Sequence, residues 1–253
     1  VLNALLGPHI LFEGANIHLR SGSGTTDDGD TGEYFGLGNL IVGYNEGTDG
    51  NRSGSHNLVI GKAHQYSSYG GLVAGFRNQV HASSSSVTGG FENTVTGRYS
   101  SVAGGQFNTA EGWATSVSGG RYNISSNQFS NVSGGEGNQA MGTFSSISGG
   151  QLNVVTGFWS SVTGGKENWA SGHNSTVTGG QSNVASGLLS KVSGGAGNLA
   201  FGKGTSVSGG TLGEATGEWA SICGGANGLA SGFWSTVSGG SGNSATGRWS
   251  SVS

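Results

Sequence analysis

Residues 86–100 read SVTGGFENTVTGRYS, residues 101–115 SVAGGQFNTAEGWAT and residues 116–130 SVSGGRYNISSNQFS. The phrase runs on to Ser253 with a period of 15 residues that never slips, in eleven full copies and the start of a twelfth. A strict short period marks a solenoid, in which each copy is one coil that buries its apolar side against its neighbours. Coil positions are counted from Ser86 as position 1. Position 2 is Val or Ile in every coil, from Val87 and Val102 to Ile222, Val237 and Val252. Its neighbours are nearly always Ser or Thr, the period of two of a half-buried strand. Position 10 is a second apolar column, with Val95, Ala110, Ala140, Val155, Ala170, Ala185, Ala200, Ala215, Ala230 and Ala245. Two inward columns half a coil apart predict two sheets facing each other in a flattened roll.

The other columns predict corners. Position 8 is Asn93, Asn108, Asn123, Asn138, Asn153, Asn168, Asn183 and Asn198, and it exchanges with Gly at Gly213 and Gly228. Position 12 is Gly except at Asn127. Exchange of Gly with Asn is the mark of a left-handed backbone, so both positions are expected to be turns. Asn stacked on Asn also predicts amide hydrogen bonds along the axis. Of the Gly-Gly pair, position 5 reads as a backbone requirement, because Gly61 and Gly75 keep it in the earlier coils. Position 4 reads as limited by volume, with Ile60 and Ala74 placed there.

Position 14 is the most suggestive column: Tyr99, Phe129, Phe144, Trp159, Trp219, Trp234 and Trp249. Rings in register along a rod can bind a glycan, pack on one another, or form the buried seam between chains. A core of Val, Ala and Gly buries little apolar surface per chain, which favours the seam. Ala114, Asn174 and Gly204 interrupt the column; Trp113 is expected to fill beside Ala114, whereas His173 and Lys203 are poor substitutes.

Composition narrows the function. The 253 residues include 54 Gly, only 9% are charged, and the formal net charge is −3. The fixed columns overrule the disorder that so much Gly and Ser would otherwise imply. No basic stripe is present for nucleic acid. No apolar run is long enough for a membrane helix. The chain lacks an initial Met and a secretory signal and stops within a repeat, so it is expected to be part of something longer.

Upstream of the regular coils, residues 1–7 fit the end of a helix, and residues 9–20 alternate enough for one or two strands. Residues 21–38 read as a polar loop. NLIVG (39–43), NLVIG (57–61) and GLVAG (71–75) begin the solenoid less regularly, with an outward loop in 43–56. Three regions result: 1–38 a stalk-end or capping segment, 39–85 irregular first coils, and 86–253 the regular solenoid. About fourteen coils are expected.

The unit G-x-x-S-x-V-x-G-G-x-x-N-x-A is similar to the head repeats of trimeric autotransporter adhesins, and NLVIG is the nearest match to their strand. That resemblance implies a left-handed parallel β-roll in which three chains pack side by side. The period of 15 and the Gly at position 4 depart from the family's 14-residue repeat with Ile. The whole chain also resembles a group of bacterial surface or secreted proteins in which a coiled-coil stalk precedes the roll, so residues 1–7 would end the stalk.

The remaining candidates have plainer readings. Cys223 at position 3 stands in for Ser. Asp27, Asp28, Asp30 and Glu33 form an acidic loop whose spacing departs from a calcium site, so a solvated loop is expected. The flat Ser-rich triplets lack the Thr that an ice-binding face wants. The histidines are scattered, no nucleophile, base and acid recur together, and no Lys-Ser or Lys-Thr follows the Gly-Gly pairs. The expectation is therefore no enzyme, cofactor or metal, and an all-β homotrimer serving as a structural and adhesive subunit of a bacterial cell-surface appendage or extracellular filament. The alternative is a glycan- or receptor-binding fibre module such as a phage tail fibre.

Overall fold

The computed structural model describes residues 10, 12–28, 36–47 and 50–253. Every regular element among them is a strand. The expected stalk end at residues 1–7 lies outside the described residues. Residues 12–20 form no strand, contrary to their alternation. Two parallel sheets make the solenoid. One has 15 strands, from Leu40–Val42 to Ser251–Val252, and the other 13, from Gln65–Tyr66 to Ser244–Ala245. About fourteen coils at ~4.8 Å each give a rod of about 65 Å.

Register follows from what each coil must bury. In the first sheet Ile147 pairs in register between Val132 and Val162, and all three are buried. Ala140, Val155 and Ala170 do the same in the second sheet. A slip by one residue would turn Ser into the core and Val into solvent.

The interior also contains two polar columns, one of which the sequence places wrongly. Position 8 is not a left-handed corner: Asn93, Asn108, Asn123, Asn138, Asn153, Asn168, Asn183 and Asn198 are all buried and all have ordinary φ. They form a staple across coils. The Asn153 N–H donates to Asn138 Oδ1 (3.0 Å), and Asn153 Oδ1 accepts the Asn168 N–H (3.0 Å). Asn153 Nδ2 donates to the carbonyls of Gly149 in its own coil and Gly165 in the next, both at 3.0 Å. Each side chain thus satisfies three main-chain groups in an interior that water does not reach. The expected amide ladder exists, but it runs mainly through the backbone. The second polar column is position 15, where hydroxyls such as Ser100 and Ser160 donate to the Gly112 and Gly172 carbonyls (2.7 and 2.6 Å).

The left-handed positions are 5, 7 and 14. Position 12 has ordinary φ; its Gly is needed because a Cβ on Gly157 would overlap the Gly172 carbonyl. At position 5 both causes act, since Gly150 has φ +90° and a Cβ there would run into the Gly165 carbonyl.

Position 4 is not limited by volume. A Cβ on Gly149 would meet nothing within 4 Å. Its origin is visible at the start of the rod. Val59, Val73 and Val87 pair at 14-residue intervals, and Val87 pairs with Val102 at 15. The Phe76 N–H donates to Gly90 O as the Phe91 N–H donates to Gly105 O (both 2.9 Å), so Gly75 already corresponds to position 5. The first coils simply lack position 4, and Ile60 and Ala74 do not occupy it. Position 4 is the inserted residue of a bulge. It shortens the five-residue strands Leu58–Lys62 and Leu72–Phe76 to pairs such as Ser86–Val87.

In the first coils His64 takes the place of Asn. Its Nδ1 accepts the Asn78 N–H (3.2 Å) and its Nε2–H donates to Ile60 O (3.0 Å), copying both ends of the amide. Burial holds the His64 imidazole below its ordinary pKa of 6.5.

Substitutions in this interior should separate the causes. Gly150→Ala should lower the melting temperature clearly more than Gly149→Ala, since the left-handed backbone alone costs about 1–2 kcal/mol with a Cβ. Asn153→Ala strands one N–H and removes a donor from two carbonyls. It should cost roughly 2–4 kcal/mol in denaturant titration, at ~1–3 kcal/mol per unpaired group. Because the folded-state pKa of His64 is depressed, its contribution is complete above pH 6.5 and is lost as pH falls below that value. His64→Asn should therefore weaken the loss of stability on acidification, read as melting temperature against pH.

Candidate functional site: the aromatic edge and the second-sheet face

The corner at positions 12–15 is a tight turn closed from residue to residue, as in Ser175 N–H to Gly172 O (3.2 Å). Position 14 lies at its tip, and its ring-bearing residues have φ between +53° (Trp159) and +62° (Trp249). A large ring there costs about 1–2 kcal/mol relative to an unstrained backbone, and Gly or Asn would be the cheap choice. Seven of the eleven coils nevertheless carry an aromatic ring.

Stacking offsets part of that cost, at about 0.5–1.5 kcal/mol per pair. Phe129 and Phe144 are 4.8 Å apart at 3°, Trp219 and Trp234 5.5 Å at 15°, and Trp234 and Trp249 5.6 Å at 6°. Parallel planes turn the ring faces onto each other along the rod and leave the rims outward. The rings are still exposed, from 41% at Phe129 to 63% at Trp249, with Trp219 half-buried.

One gap in the column is bridged from position 13. Trp113 stands edge-on between Tyr99 (5.8 Å) and Phe129 (4.7 Å), as its place beside Ala114 predicts. His173 reaches Phe158, also at position 13, at 6.1 Å, and Lys203 Nζ lies 5.9 Å from the Trp219 ring centre, each on one side of the gap between Trp159 and Trp219. Gly204 leaves room for Trp219 itself, whose ring covers the space a Cβ would take. Arg248 lies over Phe233 and Trp249 (5.2 and 6.0 Å).

The surface beside this edge was not evident from the sequence. On the second sheet, position 9 faces outward and holds Ile124, Val154, Trp169, Val184, Leu199 and Leu229, partly or fully exposed. On the first sheet the equivalent outward position is Ser or Thr in most coils. The two faces of the roll are therefore unlike: the second mixes these apolar residues with Thr94, Thr109, Gln139, Glu214 and Ser244, whereas the first is mainly hydroxylated. Position 9 was legible as a column, but its variety conceals the pattern that invariant Val or Ala announces.

The acidic loop differs from expectation. Asp28 is buried rather than solvated and accepts hydrogen bonds from the hydroxyls of Ser21 (2.6 Å) and Ser23 (2.8 Å). Asp30 and Glu33 lie outside the described residues. A cavity of about 430 Å³ beside it is lined by His18, Arg20, Thr25 and His56 among others. Both His56 ring nitrogens are engaged there, with Thr26 O (2.9 Å) and the Ser21 N–H (3.1 Å). Cys223 is exposed, and its N–H donates to Val237 O as Ser does at the same position. Among the described residues no three His, Cys, Asp or Glu gather as metal ligands, and no helix is long and apolar enough to cross a membrane. Comparison with known proteins finds no family model that matches the chain and no curated protein that does.

Proposed function

We propose that the chain is the rod of a structural and adhesive subunit of a bacterial cell-surface appendage or extracellular filament, built by association with copies of itself as a homotrimer. The observation that carries this reading is the row of exposed position-14 rings, together with the apolar side chains at Ile124, Val154, Trp169, Val184, Leu199 and Leu229 on the second-sheet face. Seven half-exposed rings amount to on the order of 700 Å², near the ~800 Å² per partner of a stable interface. A soluble monomer rarely shows so much contiguous apolar surface. The rim-outward rings suit a packed seam better than a sugar platform, because a pyranose stacks on a free ring face and the faces of Phe129, Phe144, Trp219, Trp234 and Trp249 are turned onto one another. Copies around a common axis would bury this row and leave the hydroxylated face to solvent.

One observation favours the rival, a glycan- or receptor-binding fibre module. Trp113 and Phe233 stand at 82° and 81° to column rings, so their planes run along the rod. Such planes can offer flat faces outward.

Substitution separates the two. Changing Trp219, Trp234 and Trp249 together to Ser should convert the assembly to monomer in light scattering, as should Val184→Glu with Leu199→Glu on the sheet face. If both variants keep the parental mass while Trp113→Ser and Phe233→Ser abolish binding to a glycan array, the rod is a ligand fibre instead.

A further inference from the structure

The asparagine staple fails at one place, and a reactive dipeptide sits in the gap. Asn198 Oδ1 accepts the Gly213 N–H (2.9 Å), but Gly213 and Gly228 carry no side chains to continue the ladder. Ile222 occupies the space instead, 3.5 Å from where a Gly213 Cβ would stand. The Gly228 N–H consequently has no acceptor, and the carbonyl of Asn227, like those of Leu152 and Glu167 at the same position, accepts nothing. Neither end of the peptide unit joining them is held. At Asn198, by contrast, the corresponding N–H is bound by Asn183 Oδ1 of the preceding coil (3.0 Å). Asn227–Gly228 is also the one Asn-Gly pair in the sequence. Asn227 is exposed at a left-handed position (φ +52°), and Gly228, though buried and with its carbonyl accepting the Glu214 N–H (2.8 Å), has no side chain to hinder attack at its nitrogen.

We infer that Asn227 is a site of spontaneous covalent modification, deamidation through a cyclic imide, at a point the fold leaves unfastened. The Gly228 nitrogen loses its proton to hydroxide and attacks Asn227 Cγ. A new N–C bond forms, the Cγ–Nδ2 bond breaks, and Nδ2 departs as ammonia. Water then opens the five-membered ring at either carbonyl, giving aspartate or isoaspartate. The net change is amide plus water to carboxylate plus ammonium, with no oxidant or reductant. Attack requires the junction to rotate out of its left-handed turn, which an untethered peptide permits and a stapled one resists. Asn174–Ser175 supplies the contrast: Asn174 is likewise exposed and left-handed, but the Ser175 N–H is tied to Gly172 O (3.2 Å) and Ser160 Oγ (3.3 Å).

The folded protein is incubated at mildly alkaline pH and mapped by peptide mass spectrometry with isoaspartate detection. The first peptide to gain one dalton should be the one containing Asn227. The comparison is Gly213→Asn with Ile222→Val, which leaves Asn227–Gly228 intact while returning an acceptor to the Gly228 N–H. There the modification should slow several-fold. Equal rates in parent and folded variant, or earlier modification at another asparagine, would overturn the inference. Should the variant not fold, amide exchange in the parent decides: the Gly228 amide must exchange faster than that of Asn198, and equal protection sinks the idea.

Discussion

The hydrogen bond between one coil and the next is the constraint on which this structure depends. Most main-chain N–H groups of a coil find their acceptor 13 to 17 residues away along the chain, in the coil above or below. That arrangement brings successive backbones so close at position 12 that a Cβ on a glycine such as Gly157 or Gly172 would overlap the next coil, and only Asn127 stands there in place of Gly. It also drags a row of main-chain polar groups into the interior, where water cannot reach them. The buried Asn of position 8 resolves this conflict, since one amide offers two donors and an acceptor in a single plane. His64 shows that the geometry, and not the residue, is what the site selects.

Much of this was legible because repetition turns one chain into many observations. The Val and Ala columns, the two facing sheets, the number of coils and the need for Gly at position 5 all follow from the columns. Asn and position 4 did not. Gly and Asn are alike in tolerating positive φ, so their exchange at position 8 pointed to a corner. In the fold the same exchange records a staple and its loss. The left-handed residues are instead Tyr122, Leu152, Trp159 and their equivalents, types that backbone preference alone would place elsewhere. They are invisible to propensity because tertiary stacking overrides it. Position 4 misled for another reason: an insertion looks like a substitution when coils are aligned by their glycines.

The candidate site divides along the same line. The ring column could be read from spacing, since each Trp recurs at a fixed offset. The apolar residues of the second-sheet face could not, because Ile124, Val154, Trp169 and Leu199 share only an outward direction, which needs the sheet to define it. The roll therefore has chemically distinct sides set by positions 1 and 9. Its interior accepts little variation, while positions 6, 7, 9, 11 and 13 are free to differ between coils.

Because each coil bonds only to its neighbours, length is a free variable of this architecture. Duplication or loss of a 15-residue segment would change the reach of the rod by one strand spacing, ~4.8 Å, without altering the pattern of interior contacts. Unequal crossing-over between such similar segments would supply that change readily. A lineage could thus adjust how far the molecule extends by recombination alone, while the residues that vary between coils diversify its surface independently.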